Sequence, residues 1–515
     1  MARYLPIPRR LVVRGKGIGA RTGGRDTVYN TGVIDSGFIQ EARGIVGDDG
    51  IRATPAQKQV YSFDAYTLEK AQPGVVLLPR DTGEVAALVR LCHRRGVPVV
   101  PRGAGTGLAG GSLAHDNEVL LSLSRMNRIL EVDLPNQRMR AEAGAINVNL
   151  TKAVARDGYQ YAPDPSSQGV CTLGGNVANN SGGPHTLKYG VTVNHILAVQ
   201  GVLADGQVVE FSTDDWGYDL TSVLVGSEGT LAVVTEATVR LVRTAAAVRT
   251  LLAICRTIDD ATAIVSAIIA AGIVPAALEM IDNTILQAVE DAYHLGLPRD
   301  AGAVLLIEVD GPEAGIDRQA ERITTICREL GAMQVKLAQD AQERAKLWTA
   351  RKKSIGTIGR LAPSCATQDG VAPRTRLPEI LREIAAIGKK YNLRIANVFH
   401  AGDGNLHPAV LFDERDPEEV KRVLAAGGDI LRACVRMGGT LTGEHGIGIE
   451  KQEFLDLVFS PDDLDTMAKI RAVFNPDGVL NPGKLFPSGG TCCPHLPRPD
   501  NDALLAMTRT RSAAV

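Results

Sequence analysis

Hydrophobic and polar positions along the chain predict a protein that mixes helices and strands. Residues 56–245 contain short apolar runs separated by glycines, among them a predicted strand at Val97–Val100 after an amphipathic helix at Val85–Arg94. A hairpin is predicted over Leu197–Phe211, because Asp205-Gly206 is a favoured tight-turn pair between two apolar runs. This part of the chain is therefore expected to be rich in strands.

From residue 246 to 440 the pattern changes to strands and helices in alternation. The predicted strands are Thr250–Cys255, Val304–Val309, Leu393–Phe399 and Pro408–Phe412, and the predicted helices are Asp259–Ala271 and Ala314–Leu330. This alternation is typical of an α+β domain in which helices cover an antiparallel sheet. A further helix is predicted around Asp462–Phe474.

These patterns divide the chain into five parts. They are a basic N-terminal arm at 1–55, a glycine-rich domain at 56–245, an α+β domain at 246–440, a C-terminal segment at 441–487 and a disordered tail at 488–515. The first 25 residues hold seven Lys or Arg residues and no acid before Asp26. Pro6, Pro8 and the absence of serine before Ser36 favour a disordered arm over a transit peptide.

Composition narrows the possible functions. The chain has 515 residues, of which 44% are hydrophobic, and a formal net charge of -2, so a disordered chain is excluded and nothing indicates nucleic-acid binding. The most apolar stretch, Ala263–Leu278, is too short for a bilayer and contains Pro275. We expect a soluble cytoplasmic protein, attached to the inner membrane at most through partners.

The eight cysteines have no CxxC spacing. They indicate free thiols in a reducing compartment, and the chain is not expected to hold an all-cysteine iron–sulfur cluster of its own.

The loop at 101–113 is the first candidate binding site. Gly105, Gly107 and Gly110 match G-x-G-x-x-G, but a turn and a strand at Val119–Leu123 follow, where a Rossmann site needs a helix. The sequence therefore predicts a nest of backbone N–H groups for phosphate oxygens, with a plain tight turn as the alternative. Pro163–Gly190 and Gly226–Leu231 are similar glycine-rich segments, and three such loops converging on one ligand indicate a long one, such as a dinucleotide.

A second constellation has the composition of a metal site. A turn at 402–405 makes His400 and His407 near neighbours across two strands, and Glu444 lies on a separate glycine-flanked loop. Two histidines and one carboxylate leave positions open on a catalytic zinc or non-haem metal. Asp403 is the competing carboxylate, although it can simply cap the turn, and each histidine alone could be a core or surface residue. His445 is adjacent to a ligand and suits a general base.

These motifs together resemble a known family. The loop at 101–113, the run Pro165–Gly190 and Gly226–Gly229 resemble the FAD-binding domain of flavoproteins of the vanillyl-alcohol oxidase type. The motifs at 400–407 and 443–448 resemble its D-2-hydroxyacid dehydrogenase branch, which includes the flavoprotein subunit of bacterial glycolate oxidase. Three segments fit that flavoprotein subunit, namely Leu347–Lys353, Asn397–Asn405 and Asn475–Lys484, and the resemblance spans about residues 55–487.

The resemblance implies an α+β fold with a two-part FAD-binding domain, a substrate domain with an antiparallel sheet and a C-terminal helical segment. It implies non-covalent FAD, because Thr106 stands where members with a covalent flavin carry histidine. The implied FAD-binding residues are Pro101, Arg102, Gly103, Ala104, Gly105, Thr106, Gly107, Gly110, Gly111, Ser112, Pro165, Gly174, Gly175, Asn179, Gly182, Gly183, Lys188, Tyr189, Gly190, Glu228, Gly229 and Asn481.

The resemblance also implies the reaction, the oxidation of a 2-hydroxy acid to a 2-oxo acid. His400, His407 and Glu444 match the metal ligands, with Zn²⁺ ahead of Mn²⁺ or Fe²⁺. His445 matches the catalytic histidine, Arg351 matches the arginine that binds the substrate carboxylate, and Asn405 is a further candidate at the substrate. Further Thr and Lys residues of D-2-hydroxyglutarate dehydrogenases have no clear counterpart near Ile355 and Thr367, which favours glycolate or D-lactate.

Several alternatives stay open at this point. Electrons are expected to leave through an iron–sulfur partner subunit or directly to a quinone or cytochrome. A stand-alone D-lactate or D-2-hydroxyglutarate dehydrogenase is the runner-up. A non-redox flavin transferase of the alkylglycerone-phosphate synthase kind and an inactive FAD-holding subunit belong to other functional classes.

Overall fold

The structure, a computed structural model, describes residues 32–486. The strands of the N-terminal part, residues 32–243, are β1 (Ile51–Arg52), β2 (Val75–Leu77), β3 (Val99–Arg102), β4 (Val119–Ser122), β5 (Ile129–Asp133), β6 (Arg138–Glu142), β7 (Tyr159–Gln160), β8 (Ile196–Val202), β9 (Val208–Ser212), β10 (Val233–Arg240) and β11 (Val242–Arg243). Its helices are α1 (Ser36–Val46), α2 (Pro55–Gln59), α3 (Thr82–Arg95), α4 (Asn147–Val154), α5 (Leu173–Asn179), α6 (Thr186–Tyr189) and α7 (Leu220–Leu224).

The C-terminal part comprises residues 247–486. Its strands are β12 (Ala247–Cys255), β13 (Ala277–Asp282), β14 (Ala303–Gly311), β15 (Gln334–Leu337), β16 (Ser364–Thr367), β17 (Arg394–His400) and β18 (Pro408–Phe412). Its helices are α8 (Ile258–Ala270), α9 (Asn283–Tyr293), α10 (Glu313–Glu329), α11 (Ala341–Lys352), α12 (Ser354–Ile358), α13 (Leu377–Tyr391), α14 (Pro417–Arg436) and α15 (Pro461–Phe474).

Two sheets with different strand directions form most of the N-terminal part. One has the order β1-β2-β4-β3, in which β4 is parallel to both β2 and β3. The other has the order β5-β6-β10-β8-β9 and is antiparallel throughout, and it contains the predicted hairpin as β8 and β9. The first glycine loop connects β3 to β4 without a helix, as the sequence indicates.

One seven-stranded antiparallel sheet organises the C-terminal part, in the order β15-β12-β14-β13-β17-β18-β16. Alternate residues of β12 point to opposite faces, which are covered by α8, α10, α13 and α14 on one side and by α9 and α11 on the other. The predicted α+β architecture with covering helices is confirmed. After α15 the chain returns to the N-terminal part, whose core includes Phe474, Val479 and Leu480.

The expectation of an arm through residue 55 is wrong for residues 36–52. Asp35 caps α1 by accepting a hydrogen bond from the N–H of Phe38 at 2.7 Å, and Phe38 and Ala42 are fully buried. The amphipathic pattern of α1 gives it an apolar face that packs into the core. Residues 1–31 and the predicted tail at 488–515 lie outside the described residues.

Predicted elements lie within a few residues of their positions in the structure. The strand predicted at Val97–Val100 begins at Val99, because the N–H of Val97 still bonds to the carbonyl of Cys92 and ends α3. Gly96 takes the left-handed conformation, with φ of 62°, that closes the helix. Between residues 32 and 486, no helix has the length and apolarity needed to cross a membrane.

Candidate active site

A cavity of about 740 Å³ lies where the glycine-rich loops meet the C-terminal part. Its wall contains most of the predicted cofactor residues: Pro101, Arg102, Gly103, Ala104, Gly105, Thr106, Gly107, Gly111, Ser112, Pro165, Gly174, Gly175, Asn179, Glu228 and Gly229. It also contains His407, Glu444 and His445. Residues of the three glycine loops and residues predicted to bind a metal or act as a base thus line the same cavity.

The first loop needs glycine because its backbone forms the wall. A Cβ added at Gly103 would lie 2.3 Å from Oγ1 of Thr172, which is closer than non-bonded atoms allow. Gly105 has φ of +71°, and a Cβ there would lie 2.1 Å from Nη2 of Arg102. Arg102 itself donates to the carbonyl of Phe63 at 2.8 Å. Because the loop also lines the cavity, its backbone N–H groups can approach a large polar ligand, and a dinucleotide such as FAD fits this cradle.

Some predicted cofactor residues are not in the wall of the cavity. Lys188 and Tyr189 bond instead to the carboxylate of Asp310, because α6 packs against the sheet of the C-terminal part. Asn481 and four glycines are also absent from the wall. A Cβ on Gly110, Gly182, Gly183 or Gly190 would meet protein atoms of Ile449, Thr186, Asp164 and Asn194, respectively.

Asn481 supports the wall from behind. Its Nδ2 donates to the carbonyl oxygens of Gly111 at 3.0 Å and of Glu228 at 2.6 Å. The asparagine thus ties the first and third glycine loops together and holds the C-terminal segment against them.

Hydrogen bonds fix the loop at 443–448 on the N-terminal part. Glu228 accepts the N–H of Ile447 at 2.6 Å with one oxygen and that of Gly448 at 2.7 Å with the other. Burial raises the pKa of Glu228, against the lowering effect of these two N–H groups. Asn179 donates to the carbonyl of His445 at 2.9 Å. The candidate base is therefore held by residues of the second and third glycine segments.

The structure brings the three predicted metal ligands together. His400 ends β17 and His407 precedes β18, so the turn between them places the two rings edge to face, 5.1 Å apart. Oε1 of Glu444 lies 3.3 Å from Nε2 of His400 and 3.2 Å from Nε2 of His407. Asp403 caps the turn by accepting the N–H of Asn405 at 3.0 Å.

The chemistry of this donor set suits a cation. Nδ1 of His400 faces the carboxylate of Glu279 at 2.8 Å, so in the neutral ring Nδ1 carries the proton and Nε2 is a lone pair. That lone pair faces the carboxylate of Glu444, and two acceptors so close require a proton or a metal ion between them. Although burial opposes it, the carboxylates of Glu279 and Glu444 raise the pKa of His400 well above its usual value. The three ligand atoms thus fit a divalent cation.

His445 lies beside this trio. Its ring stacks on that of His407 with centroids 4.8 Å apart and an angle of 7°, and its Nε2 is 3.9 Å from Oε1 of Glu444. Burial lowers the pKa of His445 to about 4, so the imidazole is neutral near pH 7.

The carboxylate of Asp369 supports the loop that carries His445. One of its oxygens accepts the N–H groups of Gly443 at 3.0 Å and His445 at 2.9 Å, and its other oxygen lies 3.9 Å from Nδ1 of His407 and 4.0 Å from Nδ1 of His445. The side chain is fully buried, with the ammonium of Lys451 at 3.6 Å.

Arg351 and Asn405 lie behind the cavity and are not in its wall. Nε of Arg351 donates to Glu279 at 2.6 Å, whereas its Nη2 is buried without a hydrogen-bond partner among residues 32–486. Oδ1 of Asn405 is also buried and unpartnered within this range, and a Cβ on Gly443 would lie 2.4 Å from its Cγ. Arg351 can thus donate, and Asn405 can accept, a further hydrogen bond next to the candidate metal site.

Four further residues of the site were not predicted from the sequence. Glu279 and Asp369 are the buried carboxylates behind the histidines, and Lys352 and Thr367 belong to the cavity wall. A single acid within the apolar run Ala277–Ile281 was the available signal for Glu279, since an ionised group in a buried strand needs a partner.

Comparisons with known proteins relate the chain to two domain families and to several enzymes. The family "FAD binding domain" matches residues 73–212, and "FAD linked oxidases, C-terminal domain" matches residues 244–485. The chain is 43% identical to "Glycolate oxidase subunit GlcD" of Escherichia coli K12, over 85% of this chain and 91% of that protein. It is 32% identical to a D-lactate dehydrogenase of Anaerostipes hadrus, over 81% of this chain and 90% of that protein.

Solved structures bear out the fold. Substrate-bound p-cresol methylhydroxylase superposes with a TM-score of 0.74 at 17% identity, covering 88% of this chain and 97% of that one. The predicted architecture of the vanillyl-alcohol oxidase type is confirmed.

Proposed function

Because the chain belongs to the family of FAD-linked oxidases, we propose that this FAD-dependent oxidoreductase oxidises a small D-2-hydroxy acid, glycolate or D-lactate, to the 2-oxo acid. One observation carries the proposal: His407, Glu444 and His445 share a cavity wall with the three glycine loops. A base and a candidate cation site therefore stand beside the cofactor cradle.

The residues that would hold each group follow from their positions. The wall residues of the glycine loops would hold FAD non-covalently, and His400, His407 and Glu444 would hold a divalent cation, Zn²⁺ before Mn²⁺ or Fe²⁺. When bound, the flavin supplies a hydride acceptor and the cation supplies a Lewis acid that lowers the pKa of the substrate hydroxyl.

His445 takes the proton from the substrate hydroxyl in this proposal. Its neutral ring, its position in the cavity wall and the 3.9 Å between its Nε2 and Glu444 support that role. Asn179 and Asp369 bond to its backbone, and Glu228 holds Ile447 and Gly448 of the same loop, so the base is positioned before the substrate arrives.

Two cations are candidates for the substrate carboxylate. Arg351 has an unpartnered buried Nη2, and Lys352 is in the cavity wall with its ammonium 5.3 Å from the centroid of the Trp348 ring. Ile355 also lines this end of the cavity, and an apolar side chain there offers no partner for a second carboxylate. Lys352 and Thr367 line the same cavity and offer polar partners, so the preference for a small monocarboxylic acid rests on the relatives named as a glycolate oxidase subunit and a D-lactate dehydrogenase.

Electrons would leave to a partner subunit with iron–sulfur clusters, or to a quinone or cytochrome. The E. coli relative is named as a subunit, which supports a partner for this chain as well. All six cysteines between residues 32 and 486 are free, and none of the candidate metal groups in that range includes a cysteine.

Anaerobic titration of the purified yellow protein with glycolate, D-lactate and D-2-hydroxyglutarate tests the proposal. We expect glycolate or D-lactate to bleach the flavin absorbance and a chelator to abolish the bleaching. Bleaching by D-2-hydroxyglutarate alone would contradict the substrate class. Bleaching by none of the acids would point to the transferase class or to a subunit that is inactive without partners.

A further inference from the structure

Glu279 connects two groups that the proposed function uses separately. It lies in β13 with 1% of its surface exposed, and its Oε2 accepts a hydrogen bond from Nε of Arg351 at 2.6 Å. Its Oε1 is 2.8 Å from Nδ1 of His400. A single carboxylate therefore binds both the candidate carboxylate-binding guanidinium and a candidate metal ligand.

The strand register produces this arrangement. Glu279 of β13 pairs directly with His400 of β17, so the two side chains lie on the same face of the sheet. Its neighbours Leu278 and Met280 point into the apolar core on the opposite face. The contact thus belongs to the sheet itself and does not depend on a loop.

Stability alone does not account for an ionised group at this place. Burying a charge is unfavourable, and a buried ion pair is often no more stable than apolar residues of similar volume. On β14 the apolar Leu306 faces Glu279 directly, and the nearby buried carboxylate of Glu308 is already bonded to Arg344 and Trp348. We therefore look for the role of this buried carboxylate in the neighbouring candidate site.

The first consequence concerns His400. A carboxylate at Nδ1 keeps the proton on that nitrogen and directs the lone pair of Nε2 towards Glu444 and His407. A histidine ligates a metal through such a lone pair. Without Glu279, the ring could rotate or carry its proton on Nε2, and either change would remove a ligand.

The second consequence concerns Arg351. Glu279 occupies its Nε, whereas Nη2 remains buried without a partner among the described residues. The Nε side of the guanidinium is thus fixed by Glu279, and its Nη2 can still donate a hydrogen bond. A bound carboxylate anion would accept the hydrogen bond that Nη2 of Arg351 can donate.

We propose that Glu279 is a positioning residue that fixes the metal-binding tautomer of His400 and the orientation of Arg351 together. This inference rests on the proposed function, since it assigns a supporting role at the same site. Glu279 does not touch the substrate and moves no proton. It couples cation affinity to carboxylate recognition through one side chain.

The test compares two variants of the FAD-loaded protein, Arg351→Met and the double variant Glu279→Met with Arg351→Met. The double variant removes the whole ion pair and retains apolar volume, so the fold should survive. The readout is the affinity for Zn²⁺, measured by competition with a chromophoric chelator. We expect a loss of about 10- to 100-fold in the double variant and less than about threefold in Arg351→Met.

Glu279→Gln provides an isosteric check, since it retains one acceptor but loses the charge. We expect an intermediate loss of Zn²⁺ affinity and a higher KM for the hydroxy acid, with an unchanged thermal midpoint for FAD release. Equal Zn²⁺ affinity in the wild type and the double variant would refute the role of Glu279 and leave the proposed function intact. A wild-type protein that binds no Zn²⁺, Mn²⁺ or Fe²⁺ would refute the metal site of the proposed function and this inference with it.

Discussion

Asn179 donates a hydrogen bond from Nδ2 to the backbone carbonyl of His445 at 2.9 Å. The asparagine is the last residue of α5 in the N-terminal part, and the histidine belongs to the loop at 443–448. This contact positions the candidate base against the cofactor cradle, because Asn179 is itself in the cavity wall.

We expect Asn179→Ala to lower kcat about tenfold, since one neutral hydrogen bond is worth roughly 0.5–1.5 kcal/mol. Stopped-flow flavin reduction by the hydroxy acid measures the effect on the chemical step. Asn136→Ala, on an exposed turn between β5 and β6, is the control and should leave the rate unchanged. An unchanged rate in Asn179→Ala would show that Glu228 and Asp369 suffice to hold the loop.

His445→Ala should lower the rate of flavin reduction by about 10²–10⁴, the usual contribution of a general base. The FAD content should remain normal, because the anchors of the loop are backbone groups that alanine retains. Rapid-reaction absorbance at saturating substrate checks the rate. Near-normal reduction with full FAD content would assign the proton transfer to another group.

Gly103→Ala should abolish FAD retention, because the new Cβ would lie 2.3 Å from Oγ1 of Thr172 in the cradle. Gly169→Ala is a matched control on the second glycine segment, since a Cβ there meets no atom within 4 Å. The ratio of flavin to protein in the purified variants measures the effect. Full flavin content in Gly103→Ala would mean that the first loop can shift without losing the cofactor.

Site residues could be predicted from the sequence where the signal lay within a short segment of the chain. The turn between His400 and His407 and the three glycine loops are local patterns, and one cavity is lined by His407 and by residues of all three loops. Lys188 and Tyr189 are also local to a glycine segment, but the partner that draws them away, Asp310, is distant in sequence. Glu279 could not be assigned because its role depends on the register between β13 and β17.

The helices, too, were predicted best where their pattern repeats within one segment of the chain. Long periodic segments such as α8 and α10 were predicted within a few residues, since their apolar faces repeat along the chain. Helix α1 was missed because its short amphipathic pattern follows a basic, proline-containing stretch that favours disorder. Its burial comes from contacts with α3, which no local pattern reveals.

Lys352→Met should raise KM for the hydroxy acid about five- to tenfold with little change in kcat, if its ammonium attracts the substrate carboxylate. Its chain neighbour supplies the control, because Lys353 carries the same charge but is not in the cavity wall. Steady-state kinetics of Lys352→Met and Lys353→Met in parallel separate the local effect from net charge. Equal KM values in both variants would leave Arg351 as the carboxylate ligand.

Stability should depend on pH through His185, which joins the two parts of the molecule. Its Nδ1 is 2.7 Å from Asp164 and its Nε2 is 3.5 Å from Glu308, and its ring stacks on Trp348. Although burial lowers it, these carboxylates raise the pKa of His185 from 6.5 to about 10. Because the folded pKa is the higher one, the stabilisation is complete below about pH 6.5 and is lost as the pH rises through about 10.

We therefore expect the stability difference between the wild type and His185→Gln to shrink between pH 6.5 and pH 10. The loss should be on the order of 3 kcal/mol, allowing for a side chain that is 23% exposed. Urea unfolding of both proteins across this range measures the difference, which cancels titrations common to the two. A difference that stays constant with pH would mean that His185 is neutral in the fold, and that the contact between the two parts rests on Lys188, Tyr189 and Asp310 instead.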